Sequence, residues 1–324
     1  MALDPFETRD ANRNALTLRG LGEIYIKRYA KPKKRSWAED QRKLDHDIYP
    51  ALGECRADLV TKLDVVRLAD AICDRGAPVL ANRTLGLVRK LFNFGVAEGY
   101  VEANPALGIP MRAKEQTRTR TLTDEELHSF WHALNGPGFD DVTADALRLQ
   151  LLLGARIREV TGMQRAELAI NGAEPSWTLP AVRAKGGRDV QRPLLPEALA
   201  VIKRRLEDCD ESPFVFASPN DTDQPITPKA PTRALKRAAD RLLVPGGFTP
   251  HDLRRTSRTR WAKLGIEPTL AKKILGHAPP KNDVDASVYD QHCYMPEMRN
   301  ALARWESDLL GIVSIAPHRL SAAA

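Results

Sequence analysis

Apolar side chains in the first third of the chain recur at intervals of three and four residues, the spacing of one face of an α-helix. The positions with this spacing are Leu21, Ile24, Tyr25 and Tyr29, then Leu59, Leu63, Val66, Leu68 and Ile72. The clearest pattern runs from 82 to 100, where Leu85, Val88, Leu91, Phe92 and Val96 form a stripe before a stop at Gly99. No alternation typical of a strand occurs here. Residues 16–108 are therefore predicted to form a small helical bundle.

A change of composition marks the end of this bundle. Asn104-Pro105 ends the last helical pattern, and residues 109–121 are polar and basic without periodicity, as in a linker. Thr123 and Glu126 then form a capping-box pattern, which predicts a helix start and a second domain over residues 122–312. Residues 1–15 and 313–324 are expected to be disordered.

Beyond the linker the pattern is mixed. Residues 147–153 form a buried helical run that leads into Gly154, and two extended runs, 177–180 and 190–194, flank Gly186-Gly187, which favours a β-hairpin. Helical patterns resume over 197–206, 232–243, 253–264 and 269–275, and a last amphipathic helix over 296–310 carries Met298, Leu302, Trp305 and Leu309 on one face. The predicted fold class is mainly α with a small antiparallel β-sheet.

Composition limits the compartment and the partners. The 324 residues are 43% hydrophobic and 28% charged, as in a globular protein with a real core. Lysine and arginine number 49 against 42 acidic residues, and the net charge of +7 favours a polyanionic partner without separating nucleic acid from anionic lipid. The four cysteines are scattered, and residues 1–19 lack the apolar core of a secretory signal. A cytoplasmic protein without a membrane span is predicted.

Four motifs in the second domain carry groups suited to phosphodiester chemistry. They are Gly154-Ala155-Arg156-Ile157-Arg158-Glu159, His251-Asp252-Leu253-Arg254, Leu275-Gly276-His277 and then Tyr289. Arginine forks neutralise charge that develops on phosphate oxygens, and one well-aimed donor contributes about 3–4 kcal/mol. Histidines can move protons, and cationic neighbours make a phenol nucleophilic. The resulting phosphotyrosine would keep the bond energy for resealing without ATP, so no metal and no cofactor are expected.

Two further residues complete this prediction. Lys185, at the tip of the hairpin, is placed to donate a proton to the departing oxygen, an assignment that rests on position alone. Glu159 is expected to be structural, either orienting an arginine or capping the backbone.

The ordered series resembles the tyrosine recombinase, or phage integrase, family from about residue 16 to residue 310. The matching boxes are Gly-x-Arg-x-x-Glu at 154–159, His-x-x-Arg at 251–254 and Leu-Gly-His at 275–277. Lys185 matches the hairpin lysine of that family, and Tyr289 lies at the usual distance of its nucleophile. Arg158 departs from the pattern, because a small polar residue is common there. The ending through Trp305 is similar to integrases of prophages and genomic islands.

The resemblance implies a helical core-binding domain and a mixed α/β catalytic domain that clamp double-stranded DNA. It implies a site-specific recombinase that integrates or excises a mobile element through a 3′-phosphotyrosine, acting as a homotetramer on DNA. Such a protein could be a monomer away from DNA, associate with the bacterial nucleoid, and use accessory DNA-bending or directionality proteins. In the implied roles, two arginines clamp the phosphate, two histidines assist, a lysine is the general acid and a tyrosine attacks: Arg156, Arg254, His251, His277, Lys185 and Tyr289.

Several residues also have simpler explanations. Arg156 could serve only to pair with Glu159, and Tyr294 competes with Tyr289 as the nucleophile. The stripe through Trp305 could be core or a face exchanged with a neighbouring protomer. Phosphate contact is predicted for a set of basic residues, each of which could instead be a solvated surface position: Lys33, Lys34, Arg35, Arg83, Arg89, Lys90, Arg183 and Arg188.

Two other functions share these sequence features. A catalytically silent DNA-binding regulator would keep the clamp but leave no tyrosine adduct, and a type IB topoisomerase would relax plasmids that lack a special site. A metal-dependent nuclease is disfavoured, because Asp and Glu are not clustered around the boxes.

Overall fold

The computed structural model describes residues 16–115, 118–209, 211–239, 242, 244, 247–277 and 292–315. The chain divides into two compact units, Met1–Thr117 and Arg118–Ala324. Most of the structure is helical, with two small antiparallel sheets in the second unit, so the predicted fold class is confirmed. Across the described ranges, no helix combines the length and apolar character needed to cross a lipid bilayer.

The first unit is a set of helices around one apolar core. Its helices are α1 (Leu18–Tyr25), α2 (Lys31–Lys33), α3 (Trp37–Lys43), α4 (Tyr49–Leu52), α5 (Lys62–Asp74) and α6 (Pro78–Ala97), with π-helical turns at Ile26–Ala30 and Leu44–Ile48 and a 3-10 turn at Ala57–Leu59. The predicted stop at Gly99 is confirmed, since this residue has a φ of 75° and follows the last turn of α6.

Two leucines predicted for the buried face of this unit are exposed. Leu59 and Leu63 keep 63% and 54% of their surface accessible. The reason is where α5 begins: Thr61 and Asp64 cap each other's backbone, so the helix starts at Lys62. From that start, the inward face takes positions three and four apart, namely Val65, Leu68, Ala69 and Ile72.

The second unit combines helices with the two sheets. Its helices are α7 (Asp124–Ala133), α8 (Asp141–Leu153), α9 (Ile157–Thr161), α10 (Pro196–Asp208), α11 (Ala230–Arg237), α12 (Pro250–Lys263), α13 (Pro268–Ile274) and α14 (Met295–Ser314). The three-stranded sheet has the order β1 (Leu168–Ala169), β2 (Ser176–Leu179) and β3 (Val190–Pro193), and β4 (Ala217–Ser218) pairs with β5 (Asp221–Pro225). The predicted hairpin is confirmed as β2 and β3, joined by residues 180–189.

Helix α8 lies at the centre of this unit. Every residue from Thr143 to Leu153 is buried, as expected for a helix covered on all sides. Helices α10, α11, α12 and α14 each contact it. The C-terminal end of α8 is therefore fixed deep in the unit, and the first arginine box follows directly.

Helix α14 belongs to the core of its own unit. Trp305 is fully buried and its indole nitrogen donates a 3.2 Å hydrogen bond to the Leu151 carbonyl oxygen. The Glu306 carboxylate accepts a 3.2 Å hydrogen bond from the backbone N–H of Glu197 at the start of α10, where the N-cap residue has no side-chain cap. Of the two alternatives for the stripe through Trp305, the structure favours core.

Candidate active site

The second arginine box occupies the first turn of α12. Thr249 caps this helix in a reciprocal capping box with Asp252, and Pro250 takes the first helical position, so the helix begins three residues before the predicted range of 253–264. His251 is exposed, whereas Arg254, one turn later, is 4% exposed. The turn thus presents an imidazole at the surface and a guanidinium below it.

The Arg254 side chain joins three separated segments. Its Nη1 donates to the carbonyl oxygen of Gly154 at 2.8 Å, and its Nη2 donates to that of Leu275 at 2.9 Å. The same Nη2 lies 3.0 Å from Nε2 of His277. The structure therefore brings the Gly-x-Arg, His-x-x-Arg and Leu-Gly-His boxes together around one guanidinium.

Two glycines make this meeting possible. Gly154 has a φ of 58°, and a Cβ there would lie 2.6 Å from the Trp261 ring. Gly276 has a φ of 64°, and a Cβ there would lie 2.8 Å from Val190. Only glycine accepts both the left-handed backbone and the close approach, so both helices end where the boxes require.

Glu159 organises the first arginine box. Its carboxylate accepts hydrogen bonds from the Arg156 backbone N–H at 3.1 Å and the Arg156 Nη1 at 2.6 Å. It also pairs with Nη2 of Arg192 at 3.1 Å. Glu159 is buried, whereas the Arg156 side chain keeps 27% of its surface exposed. Glu159 thus both caps backbone and orients an arginine, and the Arg156 guanidinium still reaches the surface.

The electrostatics of this cluster favour an anion. Burial, and then the Arg156 cation, lower the pKa of Arg254 to about 9, which still leaves the guanidinium protonated at neutral pH. Burial opposes ionisation of Glu159, but Arg192 and Arg156 together hold its pKa below the ordinary value. Three guanidinium groups thus share one carboxylate, and a phosphate would relieve the mutual repulsion of the cations.

Both histidines of the boxes are neutral at pH 7. Burial, followed by the Arg255 and Arg254 cations, lowers the pKa of His251 below its ordinary value of 6.5. Burial, followed by Arg254 and Arg156, does the same for His277. A neutral imidazole can donate to a phosphate oxygen or accept a proton, which are the properties that strand transfer needs.

Two predicted catalytic residues remain, Lys185 and Tyr289. Lys185 and Arg188 are exposed on the connection between β2 and β3. Tyr289 lies outside the described residues. Tyr294, its predicted competitor, directly precedes α14, and Nζ of Lys273 lies 4.0 Å from its ring centroid.

Two arginines predicted to contact phosphate are hydrogen-bonded to other parts of the protein. Arg183 pairs with Glu167 and donates a 2.9 Å hydrogen bond to the Glu159 carbonyl oxygen. In the first unit, Arg89 donates to the carbonyl oxygens of Ala106, at 3.1 Å, and Ile109. Both guanidinium groups thus have partners within the protein, and their phosphate contact stays a prediction.

Apart from Arg188, the other basic residues predicted to contact phosphate lie in the first unit. Lys33, Arg35 and Arg83 are exposed, and Nζ of Lys33 and of Lys90 lie 4.9 Å and 5.0 Å from the Tyr29 ring centroid. Lys34 pairs with the buried Asp40 carboxylate. The surface around Tyr29 therefore carries cations beside an aromatic face.

The sequence profile of the phage integrase family matches residues 120–289, and that of the phage integrase central domain matches residues 23–109. The chain belongs to the phage integrase family. The resemblance read from the boxes is thereby confirmed. Membership makes the chain a tyrosine recombinase, an enzyme of site-specific DNA recombination.

Individual members of the family align over much of their length. Prophage integrase IntA of Escherichia coli is 25% identical over 294 residues, which cover 89% of this chain and 69% of that protein. Tyrosine recombinase XerA of Pyrococcus furiosus is 27% identical over 226 residues, 67% of this chain and 73% of that protein. The match to the prophage enzyme supports the predicted integrase type.

The fold is also that of solved integrases. A lambda integrase tetramer bound to a Holliday junction superposes with a TM-score of 0.68 at 20% identity, covering 87% of this chain and 83% of that chain. The Tn1549 transposon integrase in complex with circular intermediate DNA gives a TM-score of 0.60 at 20% identity, and the match covers 88% of this chain and 99% of that chain.

Sequence reasoning missed one residue of this integrase site. Arg192 is fully buried on β3, donates a 2.8 Å hydrogen bond from Nε to the Ile274 carbonyl oxygen, and pairs with Glu159. An arginine in a short strand ordinarily indicates a solvated position. Its burial depends on partners from distant segments, which no local pattern reveals.

Proposed function

We propose that the chain integrates or excises a mobile element by cutting and rejoining double-stranded DNA through a 3′-phosphotyrosine on Tyr289. The observation that carries this proposal is the contact of Arg254 with Gly154, Leu275 and His277. That contact joins the segments that carry two arginines and two neutral imidazoles, the groups that strand transfer requires. The role of Tyr289 rests on its position in the sequence.

The proposed reaction balances without an external energy source. The Tyr289 oxygen bonds to phosphorus while the bond from phosphorus to the 5′ oxygen breaks, and Lys185 gives the proton that the departing oxygen needs. Arg156 and Arg254 stabilise the charge on the non-bridging oxygens. In the reverse step a DNA 5′ hydroxyl attacks phosphorus and tyrosine leaves.

His251 and His277 have the supporting part in this proposal. As neutral imidazoles, they donate to the phosphate oxygens and accept the phenol proton as the new bond forms. The bond that Arg254 shares with His277 fixes that ring beside the phosphate site. His251 reaches the same region from the first turn of α12.

We propose an oligomer on DNA, with four copies holding two duplexes. Support comes from the solved lambda integrase, which was observed as a dimer on a core site and as a tetramer on a Holliday junction. In this proposal residues 16–108 form the core-binding domain, 109–121 the linker and 122–312 the catalytic domain. Exposed cations contact the backbone: Lys33, Arg35, Arg83 and Arg188. A cytoplasmic, nucleoid-associated enzyme assisted by DNA-bending or directionality proteins completes the proposal.

A covalent-trapping assay tests the proposed function. The substrate is a nicked duplex built from the DNA that flanks the gene in its source genome, so that the cleaved strand loses a short fragment and cannot be resealed. The wild type is expected to form a detergent-resistant, protease-sensitive adduct in EDTA. Tyr289→Phe is expected to bind the duplex equally well without any adduct, whereas Tyr294→Phe keeps it. An adduct formed by Tyr289→Phe would contradict the nucleophile, and no adduct from the wild type on any flanking duplex would favour a silent DNA binder.

A further inference from the structure

Arg192 lies beneath the arginine cluster without reaching the surface. It is fully buried on β3, directly opposite Trp177 on β2, and its guanidinium carbon lies 5.0 Å from that ring centroid. Its Nε donates to the Ile274 carbonyl oxygen at 2.8 Å, and its Nη2 pairs with Glu159 at 3.1 Å. A buried cation is costly unless it is paired, so its partners explain why it is tolerated.

Arg192 and Arg254 each form hydrogen bonds with the same two segments of the chain. Arg254 connects Gly154 to the carbonyl oxygen of Leu275, and Arg192 connects Glu159 to the preceding carbonyl oxygen, that of Ile274. Arg254 lies on α12, and Arg192 lies on β3. The first arginine box and the Leu-Gly-His box are thus tied together twice.

The charges around Glu159 explain what Arg192 contributes to the site. Glu159 is bonded to the Arg156 guanidinium, whose positive charge would be largely neutralised if this carboxylate had no other partner. Arg192 supplies a second cation to the same carboxylate from the buried side. The cluster of Arg156, Arg192 and Arg254 with Glu159 therefore keeps an excess of positive charge beneath the surface that Arg156 reaches.

We propose that Arg192 is a positioning residue for strand cleavage, which holds Glu159 between two guanidinium groups so that Arg156 keeps its charge for the scissile phosphate. This inference rests on the proposed function. Arg192 does not touch the DNA; it acts through Glu159, and through Ile274 it sets the end of α13 just before His277.

The cleavage test compares Arg192→Met with the double variant Glu159→Gln/Arg192→Met. Removing one partner of a buried pair leaves an uncompensated charge, whereas replacing both is often nearly neutral. Arg192→Met is expected to slow single-turnover adduct formation about 100-fold at pH 7.5 with little change in DNA affinity, an estimate from the loss of one well-aimed cation. The double variant is expected to recover about tenfold of that loss. A double variant no faster than Arg192→Met would overturn the inference.

The pH profile separates positioning from general damage to the fold. In Arg192→Met the deficit is expected to shrink as pH falls toward 5, because protonated Glu159 no longer neutralises Arg156. Arg205→Met is the matched control, since Arg205 is also buried and pairs with a buried carboxylate, Asp145, at 2.8 Å. Its rate relative to the wild type should not vary with pH. The same pH dependence in Arg205→Met would show that Arg192 has no special role.

A stability measurement tests the pairing without any DNA. Burial raises the pKa of Glu159, but Arg192 and Arg156 together hold it below its ordinary value, so without Arg192 that pKa should be higher than in the wild type. The wild type therefore gains more stability than the variant as pH rises and Glu159 ionises. The urea midpoint of Arg192→Met, relative to the wild type, should therefore fall from pH 4.5 to pH 7.5, and this trend should vanish in the Glu159→Gln background. A difference independent of pH would overturn the inference even if the proposed function is correct; an absent wild-type adduct would contradict only the latter.

Discussion

The Arg254 guanidinium donates a 2.8 Å hydrogen bond to the carbonyl oxygen of Gly154, a residue 100 positions earlier in the chain. Gly154 ends α8, and the other carbonyl partner, Leu275, ends α13. One buried cation thus caps the C-terminal ends of two helices, where unpaired carbonyl oxygens and the helix dipoles favour positive charge. These two carbonyl partners explain how the structure tolerates a buried arginine here.

The two carbonyl contacts predict that lysine cannot replace Arg254. A single ammonium cannot span both carbonyl oxygens and a phosphate, so Arg254→Lys should lose adduct formation by at least about 100-fold, given that one well-aimed donor contributes about 3–4 kcal/mol. Single-turnover trapping on the nicked duplex measures this. Arg233→Lys, at an exposed position on α11, is the control and should match the wild type. Equal rates for both variants would mean that the Arg254 fork has no special role.

Gly276→Ala should lower the free energy of unfolding by more than the left-handed backbone conformation alone would cost. A left-handed residue with a side chain costs about 1 kcal/mol, and overpacking against Val190 should add about 1–3 kcal/mol. Gly187→Ala is the matched control, because Gly187 has a similar φ of 67° but no described atom within 4 Å of a Cβ. Urea unfolding measures both variants. Similar losses would show that the approach of Val190 is unimportant.

The stability of the folded chain should fall as pH drops through 6.5. Burial and neighbouring cations lower the folded pKa of His251 and His277, so the unfolded state binds more protons in this range and is favoured by acid. His277→Asn should weaken the dependence of the urea midpoint on pH between 7.5 and 5.5. His46→Asn, at an exposed position in the first unit, is the control for the same substitution outside the site. An unaltered slope in His277→Asn would contradict the account of this imidazole.

Helix α14 should stabilise its own protomer. Leu309 is fully buried, so Leu309→Ala should cost about 2–5 kcal/mol, whereas Ile315→Ala, at a more exposed position after the helix, should cost far less. Because the contacts lie within one unit, the urea midpoint should not change with protein concentration. A midpoint that rises with concentration would indicate that the helix is exchanged between protomers.

Features that depend on short local patterns could be predicted from the sequence. The capping box at Thr123, the stop at Gly99 and each of the boxes follow from residues within a few positions of one another. Together with the helical spacing of apolar residues, these patterns predicted most helices and the boxes that meet at Arg254.

The features missed depend on partners far along the chain. Arg192 is buried through Trp177, Glu159 and Ile274, and Arg183 turns inward through Glu167. The short strands β1, β4 and β5 have two to five residues each, too few for an alternating pattern to appear.

The central claim is that the cluster around Arg254 makes Tyr289 attack DNA, and peptide mapping of the trapped wild-type adduct tests it most directly. Trypsin cleaves after Lys281 and Arg299, so one peptide contains both Tyr289 and Tyr294, and fragmentation must assign the nucleotide. The account predicts a nucleotide linked through its 3′ phosphate to Tyr289. A nucleotide on Tyr294, or a linkage through a 5′ phosphate, would contradict it.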